Sequence, residues 1–285
     1  MTFQKIKISG LSFEISDDFP AKFHPGTKDN FTDGRRSDFT KLPSSKFANV
    51  FKFNLLFKGK VHNLILKQFL NRSPFDILKN LLLSCRAYRA FKADLMLKQY
   101  GFAVPDVVAV GKKTIAGIPI RNFLITTEIT NSVPLHEILE TNASQRQQII
   151  SQFGQMVGRM HAENIFHGDL RFGNILVHPV RNKASETPDG RSQRPVSNGV
   201  KPENNRFVFF LLDNERTKKF EKLPHRLRLK NLVQIYISRT DASDSDKTCF
   251  LAAYLSQQNI KFYKDKLSAQ IAAHVKKRLA KKNHE

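Results

Sequence analysis

The 285-residue chain has no tryptophan and only two cysteines, Cys85 and Cys249. With no paired cysteine spacing and no cluster of Cys with His, a disulfide scaffold and a zinc module are both excluded, and a reducing compartment is the natural setting. No apolar run approaches the ~20 residues that a membrane helix requires. The opening Met-Thr-Phe-Gln-Lys-Ile-Lys-Ile also lacks a long apolar core behind its charges, so neither a membrane span nor a cleaved leader is expected. Acidic residues are scarce. Against 47 Lys and Arg stand only 25 Asp and Glu, leaving a formal charge of +22 and a pI near 10.1. A field of that sign selects polyanions: nucleic acid, an anionic membrane face or a polyanionic substrate. What is present is enough apolar material, 40% of residues, to bury a core as one large domain or as two lobes, which excludes disorder throughout.

One stretch carries chemistry on its face. His167-Gly-Asp-Leu-Arg-Phe-Gly-Asn-Ile-Leu176 places an acid after a His-Gly pair, an Asn five positions after the acid, and then an apolar run through Val177. Phosphoryl transfer from ATP needs a carboxylate to orient the attacking hydroxyl and accept its proton, and oxygen ligands to hold magnesium against the phosphates. Asp169 and Asn174 have the types and the spacing for those two jobs. On its own the stretch also reads as an Asp-capped turn before a short strand, so its partners along the chain decide the matter.

The chain opens as a hairpin, alternating through Ile6 and Ile8, turning at Ser9-Gly10 and alternating again through Leu11, Phe13 and Ile15. Residues 17–45 show neither helical nor strand period and read as an irregular loop. Two strands follow between Ala48 and Phe69. The second carries Lys67 in Leu-Ile-Leu-Lys, about a hundred residues before Asp169, where a kinase places the lysine that reaches the nucleotide phosphates. A lone strand lysine is usually a solvated edge residue; the spacing to Asp169 favours the nucleotide. No Gly-x-Gly-x-x-Gly precedes it, so the phosphate-covering loop is sought around 42–48 or 57–60. A helix is predicted from Ser73-Pro74 to Gly101, with apolar residues at threes and fours. Where a kinase helix supplies a Glu to pair with the strand lysine, this helix has only Asp94 in its second half, either a surface residue or a substitute partner for Lys67.

Strands at Val107–Gly111 and Ile118–Thr127 lead to Glu128, Ile129 and Thr130, the expected adenine-binding linker between lobes. A short helix near 135–139 and a longer one near 144–161 come next. The stripe Ile149, Ile150, Phe153, Met156, Val157 and Met160 on the longer helix reads as core, and His161 as a packed or capping residue rather than a ligand. Residues 178–206 contain no Leu, Ile or Phe and echo themselves in part, which predicts a disordered insertion. A buried strand then resumes at Phe207 and ends on Asp213, the expected second magnesium ligand. The Phe-Gly that would follow it in a regulated protein kinase is missing, as is a long activation segment.

Taken together, Lys67, the basic helix ending in Gly101-Phe-Ala-Val-Pro105, the His-Gly-Asp-Leu-x-x-x-Asn-Ile-Leu loop and the Asp213-Asn-Glu-Arg216 strand end resemble the lipopolysaccharide core kinases, the Kdo and heptose kinase family. The tail is similar too, in Leu223 to Gln234 and in Phe250-Leu-x-x-Tyr254-Leu. The resemblance spans roughly 48–255 without the insertion. It implies an α+β, two-lobed protein-kinase-like fold, with an antiparallel sheet and one helix in the N-terminal lobe and a mostly helical C-terminal lobe. Its divisions would be an extension at 1–47, an N-lobe at 48–128 and a C-lobe at 129–285. It further implies transfer of the γ-phosphate of ATP, with magnesium, to an inner-core sugar hydroxyl at the cytoplasmic face of the inner membrane. Asp169 and Arg171 would be catalytic, Lys67 and Glu128 to Thr130 would bind nucleotide, and Asn174 and Asp213 would hold the metal. The positive charge suits a phosphorylated, carboxylated substrate in an anionic leaflet. At the C-terminal end, Leu267, Ile271, Val275 and Leu279 recur every four residues beside Lys276, Lys277, Arg278, Lys281 and Lys282. That pattern fits an interfacial helix or a helix packed on the lobe with a solvated basic face. An atypical protein kinase of the RIO kind, its basic surface meeting RNA or a ribosome, is the rival enzyme. A pseudokinase-like scaffold, motivated by the missing glycine loop and helix Glu, is the rival of another class.

Overall fold

A computed structural model of the chain describes residues 2–8, 11–19, 38–71, 84–115, 118–180, 206–238, 242–258 and 264–282. The alternating segments of the first half form one antiparallel sheet. Its strands are β1 (Phe3–Ile8), β2 (Leu11–Ser16), β3 (Thr40–Leu42), β4 (Ala48–Phe57), β5 (Lys60–Phe69), β6 (Val107–Ile115) and β7 (Ile118–Thr127), in the spatial order β1-β2-β6-β7-β5-β4-β3. Period-two patterning puts Phe13, Ile15, Phe53, Leu64, Leu66 and Ile125 on a common buried face. The other face is covered by α1 (Arg86–Gln99), through Phe91, Ala87 and Ala90 against Phe69, Val107 and Val110. Small alanines on this helix let it lie close to the sheet.

Three sequence expectations change here. The stretch 17–45 is not wholly irregular, because Thr40–Leu42 pairs with Val50–Lys52 as an edge strand too short to show a period. The described helix begins at Arg86, since Cys85 is extended (φ −62°, ψ 163°) and ends any continuous run from Ser73; residues 72–83 lie outside the described part. Of the predicted insertion, residues 178–180 continue a strand and Arg206 begins one, while 181–205 lie outside the described residues.

After β7 come β8 (Val133–Pro134), α2 (Leu135–Thr141), α3 (Arg146–Ala162), β9 (Ile165–Phe166), β10 (Ile175–Val180), β11 (Arg206–Leu211) and β12 (Lys218–Lys219). The helices α4 (His225–Ser238), α5 (Asp244–Leu255) and α6 (Lys264–Lys282) complete the lobe. The α3 stripe is core as expected, with Ile149, Phe153, Val157 and Met160 buried and Met156 packed at its edge. α3 and α5 meet backbone to backbone, because a Cβ on Gly154 would stand 2.6 Å from the Phe250 carbonyl. His161 is packed, not a ligand. Its Nδ1 lies 3.0 Å from the Tyr254 hydroxyl and its Nε2 3.2 Å from Asn231 Oδ1, and burial lowers its pKa to about 3, so the ring stays neutral. Leu267 and Ile271 of α6 are fully buried in the same core. The helix therefore packs on the lobe and turns Lys276, Lys277, Arg278 and Lys281 outward. Among the described residues, no helix is long and apolar enough to cross a membrane.

Candidate active site

The loop after β9 is fixed from behind by α4. Asn231 accepts the His167 amide at 3.2 Å through Oδ1 and donates to the His167 carbonyl, while Gln234 Oε1 accepts the Leu170 amide at 3.4 Å. His167 is buried, and its Nδ1 accepts the Asp169 amide at 3.2 Å. The proton must then sit on Nε2, which donates to the Leu212 carbonyl at 3.1 Å. Burial lowers the pKa of this imidazole, which keeps that neutral tautomer. His167 is thus the clip between the loop and the end of β11. Gly168 is required by contact, since a Cβ there would lie 2.1 Å from Arg216 Cβ.

These ties present Asp169 to the cleft with both oxygens engaged. Asn174 Nδ2 donates to Asp169 Oδ2 at 3.1 Å and to its carbonyl at 2.9 Å. Arg171 Nε lies 2.8 Å from Oδ1, and Gln234 Nε2 approaches the same oxygen at 3.5 Å. With its amide nitrogen turned to Asp169, Asn174 keeps its carbonyl oxygen as the group to offer a cation.

Across the cleft, Lys67 on β5 forms an ion pair with Asp213 at the end of β11. Asp213 is held in the left-handed region (φ 58°), a conformation open to Asp and Asn, and it turns the chain sharply into the following 3-10 turn. The suggested Lys67 to Asp94 pair is not what the structure shows. Asp94 is buried and accepts from Asn214 Nδ2 at 2.7 Å, one residue beyond Asp213.

The tie between α1 and the Asp213 segment is made by residues that sequence reasoning passed over. Arg86, the first residue of α1, forks onto Glu215, Nε to Oε2 at 2.8 Å and Nη2 to Oε1 at 3.1 Å, and both side chains are about nine-tenths buried. Its Nη1 also donates to the Phe47 and Leu70 carbonyls at 3.0 and 3.2 Å. One guanidinium therefore joins the helix, two sheet loops and the turn that follows Asp213. Its sequence signal was the acid in Asp213-Asn-Glu215-Arg, with no rule to say which of many arginines it would meet.

Burial raises the Asp94 pKa to about 7, against the smaller opposing effect of the Asn214 bond. In the folded protein it therefore holds a proton that the unfolded chain releases near pH 4. Stability contributed by that proton is complete below about pH 4 and is lost as pH rises towards 7. Asp94→Asn keeps an acceptor for Asn214 and cannot ionise, so its melting temperature relative to wild type is expected to climb between these limits. Parallel melts across pH, showing a constant difference, would remove this account of Asp94.

A cleft of about 720 Å³ lies between the lobes and gathers Lys67, Asp169, Arg171, Asn174 and Asp213 on its walls. Pro43, Ser44, Ser45 and Ala48 line it as well, whereas the turn between β4 and β5 does not, which puts the covering segment at 42–48. On β7 the lining reaches Thr126, two residues short of the expected linker. In that linker the Glu128 amide donates to the Asn63 carbonyl at 2.8 Å, its carboxylate accepts from Lys52 at 2.7 Å, and Ser132 Oγ donates to the Ile129 carbonyl at 2.8 Å. Thr130 follows at the turn. Among the described residues no cluster of three or more His, Cys, Asp or Glu offers a self-sufficient metal site. The carboxylate of Asp213 and the amide oxygen of Asn174 are instead hard oxygen donors of the kind that would suit magnesium, with further ligands drawn from phosphates and water.

A strand lysine and a strand-end acid facing a loop-borne Asp-x-x-x-x-Asn across a two-lobed cleft define a protein-kinase-like phosphotransferase. The family model described as Lipopolysaccharide kinase (Kdo/WaaP) family matches residues 49–189, and this similarity supports a place among the lipopolysaccharide core kinases. Among solved structures, "WaaP in complex with acyl carrier protein" is similar in fold, with TM-score 0.54 and 19% identity over 87% of this chain and 95% of that one. A search of curated proteins returns no match.

Proposed function

We propose that the protein transfers the γ-phosphate of ATP to a hydroxyl of a Kdo or heptose in the lipopolysaccharide inner core. The observation that carries the reading is the alignment of Lys67, Asp213, Asn174 and Asp169 along one cleft, in a chain matched by that family's model. Lys67 grips the nucleotide phosphates, and the linker 128–130 receives the adenine. Asp213 and Asn174 hold magnesium, which when bound neutralises phosphate charge and orients the transferring group. Asp169, with Oδ2 fixed by Asn174, takes the proton of the attacking hydroxyl. Arg171, which sits on Asp169 Oδ1, is placed to meet the charge of the phosphoryl group in flight. Incubation with labelled ATP and, separately, Kdo-lipid A, a generic protein acceptor and RNA-bearing partners tests the reading. Label is expected in the lipid-sugar product; label in protein would favour the atypical protein kinase, and label nowhere would favour a scaffold.

The place of action we infer is the cytoplasmic face of the inner membrane, with peripheral attachment. Support comes from the +22 charge and from the exposed basic face of α6, not from its apolar stripe, whose Leu267 and Ile271 the lobe already buries. Each cation near an anionic leaflet contributes ~1 kcal/mol. Reversing two of them, Lys276→Glu with Lys277→Glu, is expected to weaken binding to phosphatidylglycerol vesicles by at least about tenfold at low salt. Undiminished sedimentation with those vesicles would exclude this face as the contact.

A further inference from the structure

Beside the nucleotide cleft lies a second cavity of about 450 Å³, between the catalytic loop and the last turns of α6. Arg171 and Ser238 line both cavities, so the two are continuous at the catalytic residue. Arg278 and Lys281 of α6 face the second one beside Arg171, which is already paired with Asp169, and no carboxylate appears among its described lining residues. Ile237 and Leu279 give it an apolar wall. Gln234, also in its lining, reaches Asp169 Oδ1 at 3.5 Å and the Gly168 carbonyl at 3.4 Å. The pocket therefore borders the base itself on two sides, through Arg171 and through Gln234.

Its size and chemistry specify an occupant. The volume has room for a monosaccharide unit and lies within the range of small-molecule sites. Arg278 and Lys281, neighbours on one face of α6, suit an anionic group, and an apolar strip beside them suits the C–H face of a sugar ring. α6 is anchored by Leu267 and Ile271 in the core, so Arg278 and Lys281 project from a fixed helix rather than from a loose tail. We infer that this pocket is the acceptor site, in which Arg278 and Lys281 bind a carboxylate or phosphate carried by the acceptor and so set its hydroxyl against Asp169. The inference rests on the kinase reading above and adds to it that the last helix is a specificity element.

The test uses the full chain with a saturating non-hydrolysable ATP analogue and magnesium, and ligand-observed NMR with two soluble probes, the acid sugar Kdo and its neutral methyl ester. Wild type is expected to bind the acid at least tenfold more tightly than the ester. R278A/K281A is expected to bring the two within twofold of each other at unchanged melting temperature, while K276A/K277A, equal in charge and on the same helix, keeps the discrimination. Phosphatidylglycerol vesicles give the second arm. If R278A/K281A loses vesicle binding but still prefers the acid, the two cations serve the lipid headgroups and the acceptor site is overturned. Transfer to Kdo-lipid A by a wild type with no acid preference would likewise overturn the pocket and leave the kinase reading standing. Acid preference that depends on Arg278 and Lys281, in a protein that phosphorylates no lipopolysaccharide acceptor, would uphold the anion site and sink the lipopolysaccharide reading.

Discussion

Asp169→Asn is expected to lower phosphoryl transfer by about three orders of magnitude while ATP still binds, because general-base assistance contributes roughly 10²–10⁴-fold. The substitution is nearly isosteric. It keeps an oxygen for Asn174 Nδ2 or Arg171 and leaves the loop ties through His167, Asn231 and Gln234 in place. What it removes is the negative charge and the capacity to take a proton. On the proposed reading the nucleotide is held by Lys67 and Asp213, which the substitution leaves paired, so a nucleotide-dependent thermal shift should survive. Turnover within tenfold of wild type would strip Asp169 of its role.

The second large effect belongs to the Arg86 and Glu215 fork. Removing one member of a buried ion pair strands the other without solvent, at a cost of ~3–5 kcal/mol, whereas replacing both by apolar groups of similar volume is often close to neutral. Arg86→Ala should therefore destabilise the fold by about that amount, and the Arg86→Met, Glu215→Leu double variant should recover most of it. Activity separates the structural role from the functional one. Glu215 stands two residues after Asp213, and the guanidinium also fixes the Phe47 and Leu70 carbonyls at the edge of the cleft. A displacement of about 1 Å at a reacting centre costs on the order of 10²-fold in rate. The double variant should thus fold but transfer phosphate slowly, with kcat falling more than nucleotide affinity. Full kcat in a stable double variant would reduce the pair to a strut.

In protein kinases the strand lysine is coupled to a helix carboxylate. Here the polarity is exchanged: the helix supplies the cation, the strand-end turn supplies the acid, and Lys67 falls to Asp213. This explains how the helix lacks a Glu and yet remains tied to the Asp213 segment.

Local signals made much of this molecule legible. Period-two alternation set β1, β2, β4 and β5, the α3 stripe announced its core face, and the spacing of Lys67, Asp169, Asn174 and Asp213 ordered the cleft. What escaped was long-range pairing. Arg86 and Glu215 lie 129 positions apart, and nothing in either neighbourhood names the other. The edge strand Thr40–Leu42 is three residues long, below the length at which a period is visible, and exists because β4 offers an open edge. Amphipathicity predicted that α6 would bury one face, but lipid and protein cover such a face equally well. Only the fold shows that the lobe takes it, and that its last turn then reaches the catalytic loop.

The most direct test of the whole reading is mass spectrometry of Kdo-lipid A after incubation with the protein, ATP and magnesium, followed by mild acid to separate core sugar from lipid A. One added phosphate in the sugar fraction, absent with Asp169→Asn, is the expected result. An unmodified sugar fraction, from wild-type protein that demonstrably binds ATP, would contradict it.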